Sequence, residues 1–315
     1  MYCTTKGWLD LSVIGGINLI NEISKYIEIK EHGTNDNGRF VRGEHKGLKI
    51  NVCETGLGFY GSLCKSKHKN NLASYNRLEV KETFGMLSEG LHLPMEKSKI
   101  TRIDPAGNLY LNHSPANYYP FLGKCKYFER WSRKNTLYYS KAQKVLALYD
   151  KIVEMRKAGG IPSNLDGQNV LRYEMRLLGK LCQELKVNEV NAAMLYDVDF
   201  FKMIVNKWAN EYYSIVKVNC ISQNHFQEMK TVNRKDLIEG FALMAIRLSG
   251  NPSIINETID NLYAIGKIKN RTEKFRMKTD INNLLSRANL NDKNELIEEL
   301  DKKIDLAKEH YLNTF

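Results

Sequence analysis

The sequence predicts an α+β fold, with an antiparallel sheet flanked by helices and then a mostly helical C-terminal part. Two observations carry this. Over residues 1–75, and again from 99 to 150, short apolar stretches are separated by turn residues, Gly and Asn clusters above all in the first span, the pattern of strands and hairpin turns. After about residue 185 the apolar residues recur at helical spacing instead.

The elements follow in order. Leu48-Lys49-Ile50-Asn51-Val52 and Gly56-Leu57-Gly58-Phe59-Tyr60-Gly61 read as strands. Leu78, Val80, Phe84, Leu87 and Leu91 suit one face of an amphipathic helix over 76–95. Strands are predicted around Ile100–Asp104, Thr136–Tyr139 and Val145–Tyr149. A helix is predicted to start near Asp150 and to end at Gly159-Gly160, with Pro162 beyond it. Val170–Leu177 reads as a further strand. Near the end, Leu296, Leu300, Ile304 and Ala307 share one helical face. The change of pattern divides the chain into a mixed part, 1–215, and a helical part, 216–315.

Charge narrows the choice of partner. Lys and Arg total 47 against 36 Asp and Glu, a net charge of +11, which favours a polyanion. The six cysteines (Cys3, Cys53, Cys64, Cys125, Cys182, Cys220) form no C-x-x-C pair, and none has a His at zinc-finger spacing. They are expected to be reduced thiols of a cytoplasmic protein. The N-terminus lacks the layout of a signal peptide, and no apolar run approaches the ~20 residues that span a membrane. No G-x-x-x-x-G-K-[ST] loop is present, so ATP-driven unwinding is not expected; no His-x-His pair is present, so a histidine metal site is not expected, and there is no G-x-S-x-G elbow.

Four segments could carry chemistry. In Arg102-Ile103-Asp104 the strand period puts Arg102 and Asp104 on one face. In Leu171-Arg172-Tyr173-Glu174-Met175-Arg176 it puts Arg172, Glu174 and Arg176 together, with apolar residues behind. If the two strands share a sheet, Asp104 and Glu174 either chelate a hard divalent cation or form cross-strand ion pairs with the arginines. The third segment, Tyr149-Asp150-Lys151 with Glu154, offers a phenol. It would need help as a nucleophile, and Lys151 shares its face if the strand continues. Asp150 could add a ligand. The fourth, Lys124–Lys157, holds ten cations against three acids, with aromatics interleaved. Arg130, Trp131, Arg133 and Lys134 in it suit phosphates and exposed bases. A second basic run, which includes Lys267, Lys269 and Arg271, could face duplex DNA or simply solvent.

In this order, Gly58–Leu63, Arg102–Asp104, Asn135–Tyr139, Leu148–Lys151 with Glu154, and Val170–Arg176, the sequence resembles the phage and plasmid replication proteins of the filamentous-phage gene II/X type. These are distantly similar to the Rep-trans initiators of small plasmids. The resemblance spans roughly residues 48–215. It implies a rolling-circle initiator that nicks one strand at an origin through a covalent 5′-phosphotyrosine, with Mg²⁺ or Mn²⁺ as cofactor. It further implies Tyr149 as nucleophile and Lys151 as its electrostatic support. Asp104, Glu174 and, more weakly, Asp150 would be metal ligands, and Arg102, Arg172 and Arg176 would hold phosphates or the acids. The partner would be origin DNA, single-stranded or melted, with host helicase and polymerase and a dimeric state compatible with that role. Pro105 departs from the pattern and predicts an early bend in its strand. Two other functions fit the same residues: a non-catalytic DNA-binding regulator, and a metal nuclease that activates water.

Overall fold

The computed structural model describes the chain except residues 16–17, 37, 73–74, 158, 161–164, 166, 218–232, 250–253, 288–293 and 314–315. Cys220 and Pro162 fall outside the described residues. The first six strands are β1 (Tyr2–Asp10), β2 (Glu28–Asn35), β3 (Gly38–His45), β4 (Leu48–Cys53), β5 (Gly56–Ser62) and β6 (Lys99–Leu111). Then come β7 (Leu122–Cys125), β8 (Glu129–Arg133), β9 (Thr136–Lys141), β10 (Lys144–Asp150), β11 (Asn169–Leu177) and β12 (Ile215–Lys217). Ten of them form one antiparallel sheet in the order β2-β3-β4-β5-β1-β6-β11-β10-β9-β8, and β7 pairs with β12 in a second. Two hairpin meanders, β2–β5 and β8–β10, are thus joined by β1, β6 and β11. Short turns set the meanders: Lys46 and Gly47 both take positive φ between β3 and β4, the geometry of a two-residue hairpin loop.

The helices are α1 (Leu11–Ile14), α2 (Leu19–Ile23), α3 (Leu63–His68), α4 (Arg77–Leu91), α5 (Lys151–Lys157), α6 (Leu181–Leu185) and α7 (Val198–Tyr213). They continue with α8 (Arg234–Ser249), α9 (Ile254–Ala264), α10 (Arg271–Arg287) and α11 (Glu295–Asn313). The chain forms two compact units. One comprises Met1–Asn112, Tyr127–Tyr213 and Lys303–Phe315, and the other His113–Lys126 and Ser214–Lys302. The second holds the small β7–β12 sheet and the helices α8, α9 and α10.

In the first unit the strand period sorts the residues onto two faces. Leu48, Ile50 and Val52 of β4 are buried, while Lys49 between the first two is exposed. Leu171, Tyr173 and Met175 of β11 and Leu146 and Leu148 of β10 continue the apolar face. Against it pack α4 and α7. Phe84 of α4 meets Phe59 edge-on with ring centres 6.0 Å apart, and Trp208 of α7 lies 5.1 Å from the Tyr173 ring. Gly107 makes that approach possible, since a Cβ there would sit 2.9 Å from the Trp208 ring. Each fully buried large apolar side chain on this face contributes about 1.5–3 kcal/mol. The start of α4 is fixed by a capping box in which Asn76 and Glu79 each accept from the other's backbone N–H.

Three sequence expectations need adjustment. Leu78 is exposed, because the buried stripe of α4 is Val80, Thr83, Phe84, Leu87 and Leu91. On α11 the buried residues are Ile297, Leu300, Ile304 and Tyr311 rather than the stripe starting at Leu296. Pro105 does not end its strand: β6 runs on to Leu111. Its missing N–H falls opposite Tyr2, where the β1–β6 register is already irregular, so no regular ladder bond is lost.

Candidate active site

The other sheet face is polar, and register decides what meets on it. Strand β11 lies between β6 and β10, so the two arginine–acid segments are neighbours. Tyr149 stands opposite Arg172, Ala147 opposite Glu174, and Arg172 opposite Asn108. The same register, running from Glu174↔Ala106 to Leu177↔Ile103, sets Asp104 beside Arg176. A small apolar cluster of Ile152, Leu165, Val170 and Leu72 includes Val170, two residues before Arg172 on β11.

Glu174 is the centre. It is 5 % exposed, and its Oε1 accepts from the Tyr149 hydroxyl at 2.7 Å and from Arg172 Nε at 2.9 Å. Its Oε2 accepts from Arg176 Nε at 2.9 Å and Nη2 at 2.7 Å. Burial alone would push this carboxyl up, but Arg172 and Arg176 hold it down at about 2, so it is a carboxylate at neutral pH. Arg172 is 4 % exposed and also donates to the Asn71 carbonyl at 3.1 Å and to Asn108 Oδ1 at 2.8 Å. Asp104, 2 % exposed, accepts a bidentate pair from Arg102, Nε to Oδ1 at 2.9 Å and Nη2 to Oδ2 at 2.6 Å. Burial pushes Asp104 up, against the pull of Arg102. Burial, and then the Glu174 charge, raise the Tyr149 phenol well above its ordinary value. The resting pair is therefore a neutral phenol donating to a carboxylate.

Other expected residues stand elsewhere. The strand ends at Asp150, so Lys151 does not share the Tyr149 face. It opens α5, is 1 % exposed, and donates to Glu154. Burial lowers its pKa. Asp150 faces away from Tyr149 by strand alternation and accepts from Val153 N at 3.0 Å, which caps α5. Trp131 and Arg133 fall on the Tyr149 side of the sheet. Trp131 stacks on Tyr138 with ring centres 4.1 Å apart, and Tyr138 stands opposite Ala147. The register puts Arg130 on the opposite side, and Lys134 lies in the exposed turn between β8 and β9. Lys267, Lys269 and Arg271 are exposed at the α9–α10 connection and the first residue of α10, in the second unit.

The donor set does not fit a two-carboxylate metal site as arranged. All four acceptor positions of Glu174 are taken, and Asp104 has two left beyond Arg102. Among the described residues no group of three or more His, Cys, Asp or Glu side chains could hold a metal ion.

Sequence reasoning missed Asn108 and Cys3. Asn108 could have been found from the strand period, because it continues the Arg102, Asp104 face. Cys3 accepts from Asn71 Nδ2 at 3.6 Å, and the carbonyl of the same Asn71 accepts from Arg172, a contact between distant segments that the sequence does not signal. Among the described residues no helix is long and apolar enough to cross a membrane.

No curated protein matches the sequence. Residues 44–196, a span that contains every strand of the Tyr149, Asp104 and Glu174 cluster, match the family described as the N-terminal region of the phage gene II replication-associated protein. Over that segment the chain is similar to the replication-associated proteins of phage gene II type.

Proposed function

We propose that this replication protein nicks one DNA strand at an origin with Tyr149 as nucleophile. The observation that carries the reading is the Tyr149 hydroxyl donating to a charged Glu174 at 2.7 Å, with Arg172 and Arg176 at the same carboxylate. The phenol oxygen would attack phosphorus and the bond to the 3′ oxygen would break. The product is a tyrosyl 5′-phosphodiester and a free 3′ hydroxyl. The phenol proton passes to Glu174 and is handed on to the departing 3′ oxygen, so one diester is exchanged for another and no ATP is needed. With the phenol raised and Glu174 held low, the proton leaves only as the bond to phosphorus forms. Arg172 and Arg176 would answer the charge building on the phosphoryl oxygens. The 3′ hydroxyl would prime synthesis.

The family resemblance implies Mg²⁺ or Mn²⁺, which would supply Lewis-acid polarisation of the phosphate. The pairing of Glu174 with two arginines does not offer such an ion a chelating pair, so the proposed chemistry runs through the arginines. The same pairing favours a second reading, a protein that binds origin DNA without cutting it and uses Asp104 and Glu174 to order its arginines.

The test uses single-stranded oligonucleotides pooled from the protein's own replicon, with and without Mn²⁺, and a denaturing gel. A shifted protein band that is lost in Tyr149→Phe supports nicking by Tyr149. Cleavage without an adduct points to water activation. Binding with neither, over a pool that contains the origin, supports the second reading.

A further inference from the structure

The polar face does not stop at Arg102. Register carries it across β1, β5, β4 and β3: Arg102 stands opposite Lys6, Lys6 opposite Tyr60, and Tyr60 opposite Lys49. One step along the strands, Trp8 stands opposite Gly58, Gly58 opposite Asn51, and Asn51 opposite Arg42. Lys6, Tyr60, Lys49, Trp8, Gly58, Asn51 and Arg42 line a groove of about 750 Å³, with Arg102 next to it on β6. Nothing in the Tyr149 chemistry uses it.

Its construction is specific. Gly56 and Gly58 have no side chains, and the Trp8 ring lies where their Cβ atoms would be, at 2.7 Å and 3.3 Å. The Trp8 indole therefore lies against the two glycines with no side chain of theirs in the way. Tyr60 is 39 % exposed, and the Arg102 guanidinium lies 5.7 Å from its ring centre. Since Arg102 also grips Asp104, one side chain joins the groove to the Tyr149 cluster. The basic residues of the lining are Lys6, Lys30, Arg42 and Lys49, against a single acid, Glu44. Arg42 is engaged by Glu31 and Lys30 by Glu28, whereas Lys6 and Lys49 make no ion pair among the described residues. Two such ammonium groups on either side of an exposed tyrosine match a chain with regular negative charges and flat rings.

We propose that this groove holds a segment of single-stranded DNA continuous with the strand at Tyr149. Lys6 and Lys49 would take phosphates, and Tyr60 would stack on a base. The inference rests on the reading of this face as the DNA-facing one. Strands β1 and β10 are three places apart, roughly 14 Å at the usual strand spacing, so a strand crossing the sheet reaches both.

The experiment measures binding of the full chain to a fluorescent mixed-sequence single strand of roughly 30 nucleotides, longer than the ~4–16 that one small binding domain covers. The variants are Lys6→Ala with Lys49→Ala, Tyr60→Ala, and a charge-matched control, Lys81→Ala with Lys97→Ala, at exposed positions outside the groove. The groove pair should weaken binding about tenfold and flatten the salt dependence by about 1.4, at ~0.7 for each phosphate no longer neutralised. Tyr60→Ala should weaken it about fivefold with the salt slope unchanged. The control should do neither. Unchanged affinity and slope in the groove variants, or an equal loss in the control pair, overturns the proposal. The Tyr149→Phe adduct assay separates the two readings. Adduct formation with inert groove variants sinks the groove alone, and weakened binding without any adduct sinks Tyr149 nicking alone.

Discussion

Glu174→Gln is the most informative single change, because among the described residues Glu174 alone meets both Arg172 and Arg176 with a carboxylate at hydrogen-bond distance. The ordinary glutamate value is 4.5, and this one is held at about 2. A folded-state pKa below the unfolded one means the carboxylate adds stability. That contribution is complete above about pH 4.5 and is lost as pH falls through about 2. The difference corresponds to about 3 kcal/mol. The amide keeps the shape and can still accept from Tyr149, but it leaves two arginines facing a neutral group. Urea unfolding at pH 7 should therefore show the variant less stable by about 3 kcal/mol. The gap between variant and wild type should narrow below about pH 4.5 and be all but gone near 2. A gap under about 1 kcal/mol at pH 7, or one that does not change on acidification, would refute the account of Glu174 as a carboxylate held by its arginines.

Two further outcomes follow from the packing and from the edge of the polar face. Gly107→Ala puts a methyl group 2.9 Å from the Trp208 ring, so it should cost about 1–3 kcal/mol in the same unfolding assay. An unchanged midpoint would mean that α7 does not press on β6 there. Trp131→Ala removes the ring stacked 4.1 Å from Tyr138 and should weaken single-stranded DNA binding by about 1–3 kcal/mol with little effect on stability. A titration in which affinity holds while stability falls would make that pair a structural contact instead.

The strand period was written in the sequence. Alternation alone separates Arg172, Glu174 and Arg176 from Leu171, Tyr173 and Met175, and Arg102 and Asp104 from Ile103, and the structure keeps that division. The helix at 76–95, the strand before Asp150 and the short helix after it were equally legible from apolar spacing and from glycines. These are local properties, set by periods of two and 3.6 residues that any short window displays.

Which strands become neighbours is not local. The pairing of β11 with both β6 and β10 joins residues some sixty and some twenty-five positions apart along the chain, and it alone makes Glu174 the acceptor for Tyr149. The same pairing decided that arginines rather than open solvent would surround the carboxylates. It also carried the polar face on to Lys6, Lys49 and Tyr60, which no single segment of sequence suggests. Where a helix begins likewise depends on what its first residue meets. Lys151 left the Tyr149 face because Asp150 caps α5 and Glu154 receives its ammonium group. The sequence by itself determined which residues could share a face; tertiary pairing decided which of them touch, because strand register is fixed by long-range packing of the apolar side and not by the residues that face the site.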